Sequence, residues 1–277
     1  MKIGIFAKTF AGHDPATVMA ASAQAGFAGV AYNMACSGLA AMPDAIEPQV
    51  LSAIAQARAA TGQQIMSMSG TYNMIHTDPQ VRALGHRRLA VLAAACEALG
   101  VGLITLCTGT RDAADQWRHH PDNQTAPAWD DLLASFAVAA EIAERHDILL
   151  GVEPEVANVV NSAEAARRLI DDMQSDRIRI VLDPANLFEQ AEPAVRRQVI
   201  EAAVDGLADR IVMAHAKDRA ANGSFATTGQ GVIDFDHFLG RLRAVGFGGP
   251  LVTHGLRADE AAGVAGFLQS RLLALGA

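Results

Sequence analysis

The stretch Gly151-Val152-Glu153-Pro154-Glu155, preceded by Ile148-Leu149-Leu150, decides the reading of the chain. A short apolar run of this kind suits a buried strand, and it ends abruptly in carboxylates. Three later runs end in the same way: Ile180-Val181-Leu182 in Asp183, Ile211-Val212-Met213-Ala214 in His215, and Leu251-Val252-Thr253 in His254. Four buried strands that each finish on a metal-ligand type of residue point to one shared site.

Outward from this stretch, strands are expected at residues 2–6, 29–32, 64–69, 101–107, 148–153, 178–183, 211–215 and 250–254. Helices alternate with them. Asp14-Pro15 and Asp78-Pro79 place an N-cap before a first-turn proline, and Gly62 and Gly100 supply stops. The helices are expected at 15–26, 43–61, 79–100, 127–145, 162–173, 193–207, 234–245 and 259–275. Two longer polar loops, 108–125 and 217–231, interrupt the alternation, and loops of such length often bind or cover a ligand. Eight strand–helix units with no linker predict an α/β protein, a closed (β/α)8 TIM barrel filling residues 1–277 as a single domain. No Gly-x-Gly-x-x-Gly follows the first strand, which speaks against an open dinucleotide-binding sheet.

Composition narrows the function classes. Half of the 277 residues are apolar, enough for a large core without disulfides. Cys36, Cys96 and Cys107 are odd in number and widely spaced, so neither a disulfide framework nor a zinc knuckle is indicated. A reducing, cytoplasmic setting fits best. The start of the chain lacks the pattern of a signal peptide, and no run of eighteen uncharged apolar residues suggests a membrane span. A formal charge of −8 argues against nucleic acid as a partner.

In such barrels the active site lies at the C-terminal ends of the strands. Side chains alternate along a strand, so Glu153, Asp183, His215 and His254 converge if the residues two positions before each also point inward. Two carboxylates with two imidazoles suit Mn²⁺, Zn²⁺, Co²⁺ or Fe²⁺ better than Ca²⁺. Singly, each residue reads as readily as a helix cap, a turn residue or a hydrogen-bonded histidine.

Several motifs carry a family resemblance: Gly151-Val152-Glu153-Pro154, Leu182-Asp183-Pro184-Ala185-Asn186, His215-Ala216-Lys217-Asp218, and Gly229-Gln230-Gly231 with Asp234 behind it. Their ordered set resembles the sugar phosphate isomerase/epimerase family, the xylose-isomerase-like TIM barrels, over nearly the whole length. The resemblance implies a divalent metal held by Glu153, Asp183 and His215, with Mn²⁺ the first expectation and Zn²⁺, Co²⁺, Fe²⁺ or Mg²⁺ as alternatives. The family's fourth ligand is usually a glutamate, whose place His254 takes. In the epimerases of the family, two glutamates exchange protons on opposite faces of the sugar. The catalytic pair expected here is therefore Glu153 with His254, the histidine serving as proton carrier or as ligand alone.

The reaction implied is isomerisation or epimerisation of a sugar, polyol or keto acid through an enediolate. Dehydration of an inosose-type substrate, endonuclease IV-like phosphoester hydrolysis and a non-catalytic barrel are the rivals. Asn186 stands where endonuclease IV-like members carry a histidine, which counts against a three-metal nuclease site. Candidate substrate contacts are His76, Trp117, His120, Glu155, Lys217 and Arg219. Each has a plainer alternative: helix entry for His76, a loop plug for Trp117 and His120, a loop carboxylate for Glu155, a salt bridge with Asp218 for Lys217, and a surface position for Arg219. A homo-oligomer is compatible with such a barrel, though no residue pattern specifies one.

Overall fold

The computed structural model describes residues 1–276. Eight parallel strands form the barrel: β1 (Ile3–Phe6), β2 (Gly29–Tyr32), β3 (Gln64–Ser69), β4 (Leu103–Leu106), β5 (Leu149–Val152), β6 (Ile178–Leu182), β7 (Ile211–His215) and β10 (Leu251–Thr253). They close in the order β1-β10-β7-β6-β5-β4-β3-β2. Helices α1 (Pro15–Gln24), α2 (Pro48–Thr61), α3 (Pro79–Leu99), α4 (Ala126–Arg145), α5 (Ala163–Met173), α6 (Pro193–Leu207), α7 (Phe235–Ala244) and α8 (Ala261–Ala274) surround them. This is the (β/α)8 barrel that the alternation predicts.

Local chemistry sets the helix ends. The Asp14 carboxylate accepts from the Thr17 N–H at 3.0 Å, and that of Asp78 from the Gln80 N–H at 2.8 Å, each just before a proline whose missing N–H leaves no orphan donor. Gly62 and Gly100 adopt φ of 69° and 64° and close α2 and α3 in the left-handed conformation. Two expectations needed correction. Helix α2 starts at Pro48 rather than at residue 43, because Glu47 before Pro48 is held extended (ψ 147°). The loop expected at 217–231 contains a small antiparallel ladder, β8 (Asp218–Arg219) with β9 (Phe225–Ala226).

The larger hydrophobic cluster fills the layer between barrel and helices. A second one fills the lumen: Ala31, Leu103, Val181, Met213 and Val252, with Phe6, Met66, Leu149 and Val212 against them. Val181, Met213 and Val252 stand two residues before Asp183, His215 and His254. Gly151, two before Glu153, shares the lumen, since a Cβ there would lie 2.7 Å from Val181 and 3.1 Å from Leu103. The strand period of two therefore carries all four ligand-type residues to the mouth on the inward face. Register sets their height. Leu182 pairs with Ala214, so Asp183 lies level with His215.

Candidate metal centre

Glu153 leaves β5 with its N–H donating to the Leu106 carbonyl at 3.0 Å, which continues the ladder one residue and fixes the side chain's direction. Asp183 leaves β6 and caps the turn Pro184–Asn186, its Oδ1 accepting from the Ala185 N–H at 2.9 Å. That leaves Oδ2, which is buried and accepts no hydrogen bond. His215 ends β7 and His254 follows β10.

The four side chains meet. His215 Nδ1 lies 3.2 Å from Glu153 Oε1 and 3.6 Å from Asp183 Oδ2. His254 Nε2 lies 3.3 Å from His215 Nδ1 and 3.5 Å from Asp183 Oδ2. One donor atom from each residue falls within 4.8 Å of all the others. A tetrahedron with metal–ligand bonds of about 2.1 Å has edges of about 3.4 Å, which the four separations of 3.2, 3.3, 3.5 and 3.6 Å match. The orphaned Asp183 Oδ2 and the facing imidazole nitrogens fit a cation of the Mn²⁺–Zn²⁺ class.

Two further residues touch the cluster. Asn186 Nδ2 donates to Glu153 Oε1 at 2.7 Å. Lys217 Nζ lies 3.0 Å from Asp183 Oδ2, as an ion pair without hydrogen-bond alignment, and 3.8 Å from Glu153 Oε1. Its ammonium also sits 4.4 Å over the Phe225 ring.

Burial and charge pull these groups in opposite directions. Burial raises the Asp183 carboxyl, but Lys217 and then the two histidines outweigh it and hold the group well below its ordinary range. Glu153 is lowered in the same way, mainly by His215 against its own burial. Burial depresses His215, yet Glu153 and Asp183 lift it to about 9. His254 is lowered, by burial and then by Lys217. Lys217 is raised by Asp183 and Glu153 against its burial. Glu155, beside the cluster, rises to about 7 from burial and the neighbouring Glu153.

A cavity of about 400 Å³ opens over the cluster and is walled by Glu153, His215, His254 and Trp117. Its other wall comes from residues that the reading of the sequence passed over: Lys8, Asn33, Ser69, Thr71 and Thr105. Three of these lie two positions beyond the lumen residues Phe6, Ala31 and Leu103, so the strand period already pointed to them.

Of the other candidates, Trp117 is 49% exposed and stands between this cavity and a second one of about 450 Å³. His76 lines only the second cavity, with Nδ1 accepting from the Asp78 N–H and Nε2 facing the Ala113 carbonyl. His120 caps the turn Pro121–Gln124 and lines neither cavity. Arg219 is buried; it donates to the Ala185 and Gly223 carbonyls and stacks on Phe225, so it ties loops together. The salt bridge considered between Lys217 and Asp218 does not form, because Asp218 accepts four backbone N–H groups instead.

Solved structures share this architecture. A 3-keto-D-glucoside 4-epimerase from E. coli is 17% identical, with 98% of this chain and 99% of that chain aligned and a TM-score of 0.78. An L-ribulose 3-epimerase is 18% identical over 99% and 95%, with a TM-score of 0.78. A D-psicose 3-epimerase, determined in the presence of D-fructose, is 15% identical over the full length of both, with a TM-score of 0.76. At such identities the likeness is one of fold. No curated protein sequence matches the chain. The family described as the xylose isomerase-like TIM barrel matches residues 19–270, most of the barrel and all four converging side chains, and the chain belongs to that family.

Proposed function

We propose that the protein is a divalent-metal-dependent isomerase or epimerase of a sugar or polyol-like hydroxy-carbonyl substrate. The observation that carries this reading is the convergence of Glu153, Asp183, His215 and His254 with one buried carboxylate oxygen left without a hydrogen bond. The sugar epimerases among the structural neighbours support the substrate class.

The four converging residues would hold the ion, with Mn²⁺ the first choice. A bound divalent cation supplies positive charge that stabilises negative charge developing on neighbouring substrate oxygens. Glu153 is the base. Its Oε1 is engaged by Asn186 and His215, which leaves Oε2 to take the proton next to the carbonyl. His254 follows β10, three strands from β5 in the closed order, and approaches from another side. It returns the proton or serves as ligand alone. Dehydration begins with the same proton removal and is the alternative outcome. Asn186 hydrogen-bonds Glu153 where a hydrolase of the endonuclease type would need a further metal-binding histidine, which counts against phosphoester cleavage. The partner is thus a small molecule rather than nucleic acid. No helix among the described residues is long and apolar enough to cross a membrane. The three free, buried cysteines support a cytoplasmic setting.

The test is elemental analysis of wild type, His254→Ala and Glu153→Gln after purification without chelator, followed by a panel of ketoses and inososes. Near-stoichiometric metal that falls in His254→Ala makes the histidine a ligand. Metal retained there with activity lost makes it a proton carrier. No metal in wild type, even after Mn²⁺ is supplied, overturns the reading.

A further inference from the structure

The charges around the cavity are unevenly placed. Lys8 follows β1, and β1 and β5 stand four places apart in the closed order of eight strands. Lys8 and Glu153 therefore face each other across the barrel mouth, and both line the cavity. The wall between them is uncharged: Asn33, Ser69, Thr71 and Thr105 offer amide and hydroxyl groups suited to a polyol. Lys8 is exposed, and its ammonium makes neither a hydrogen bond nor an ion pair among the described residues. A substrate whose reacting carbonyl lies at Glu153 would extend its other end toward this free cation.

The metal cluster independently leans the same way. Its four ligand-type residues bring two negative charges, because the fourth is a histidine, and Lys217 offsets one of them. A divalent ion would turn the cluster net positive, and Lys8 adds to that across the cavity. Even a fully ionised Glu155 would not cancel the sum. A neutral sugar leaves this charge uncompensated, whereas an anionic group offsets it in a cleft where the field is focused.

We propose that the substrate carries a carboxylate or phosphate at the end remote from its reacting carbonyl, and that Lys8 binds this anion. The proposal rests on the isomerase/epimerase reading above for the placement of the carbonyl. An ammonium recognises either anion as a point charge, so the chemistry shared by both is the claim.

The test is calorimetric titration of the Mn²⁺-loaded protein with D-fructose, D-fructuronate and D-fructose 6-phosphate, which differ only at C6. Wild type is expected to bind at least one of the two anions about tenfold or more tightly than fructose. Lys8→Met should abolish that preference and Lys8→Arg keep it, with metal content unchanged. Whichever anion is preferred identifies the group. Equal affinities, failure of all three probes to bind, or a preference that survives in Lys8→Met overturns the proposal. Metal content, read separately, reports on the isomerase/epimerase reading. Should wild type take up no Mn²⁺, that reading fails, and the same titrations on the metal-free protein still decide the anion site by its dependence on Lys8.

Discussion

Lys217 and His215 set the chemistry of the cluster before any ion arrives. The Lys217 ammonium is buried against two carboxylates, one of which, Asp183, is fully buried. Removing one partner of a buried ion pair typically costs about 3–5 kcal/mol. Lys217→Met is thus expected to destabilise the metal-free protein by about 3 kcal/mol while raising its affinity for Mn²⁺, because a positive charge 3.0 Å from Asp183 Oδ2 repels an incoming cation. Urea unfolding with and without Mn²⁺ measures both effects, and a weakened Mn²⁺ affinity would show that Lys217 supports the ion instead. His215 predicts a pH dependence. With a pKa raised to about 9 by Glu153 and Asp183, it is protonated at pH 7 in the metal-free cluster. An ion binds the neutral imidazole, so binding should release about one proton and strengthen about tenfold per pH unit up to about pH 9. Calorimetry at pH 7 in two buffers of different ionisation enthalpy reads that proton directly. An enthalpy independent of buffer would mean that His215 is already neutral.

At the scale of elements, the loop after β7 is organised by one carboxylate. Asp218 Oδ1 accepts from the N–H groups of Arg219 at 2.8 Å and Ile233 at 3.0 Å, and Oδ2 from those of Gly229 and Gly231, both at 2.9 Å. A Cβ on Gly231 would lie 2.3 Å from the Arg219 carbonyl oxygen, so only glycine admits this approach. The Gly229-Gln230-Gly231 motif is explained by this packing. In Asp218→Asn the amide NH₂ must face backbone donors, and the loss of charge-assisted hydrogen bonds predicts a cost of about 2–3 kcal/mol. Limited proteolysis should then cut within residues 220–232, while an uncut loop at unchanged stability would deny Asp218 this role. The other elements show where local signals suffice. The proline-led helix starts and glycine stops were readable because their causes lie within four residues. The start of α2 was not, since two prolines compete there and Pro48 wins by holding Glu47 extended.

For the whole molecule, the proposed ion would join β5, β6, β7 and β10, half of the barrel wall. A ligand that binds only the native state stabilises it by about 2.7 kcal/mol at a hundred times its dissociation constant. Saturating Mn²⁺ should therefore raise the melting temperature in a concentration-dependent way, chelator should reverse the rise, and Asp183→Asn should abolish it. A shift of equal size in Asp183→Asn would place the stabilising ion elsewhere.

The sequence alone determined the barrel and the four side chains at its mouth. An apolar run that ends on a polar residue is a local signal, and a period of two carries its direction without knowledge of neighbouring strands. The tertiary structure decided which other side chains are available. His76 faces the Ala113 carbonyl and Arg219 binds that of Ala185, contacts 37 and 34 positions apart that only the folded loops bring within reach, while His120 is engaged by its own turn two residues on. Lys217 turns to Asp183 because Asp218, its neighbour in sequence, is occupied by four N–H groups from its own loop. Lys8 and Glu153, 145 positions apart in the chain, come to face each other because barrel closure sets β1 opposite β5. Closure is a property of all eight strands together, and no single stretch of sequence contains it.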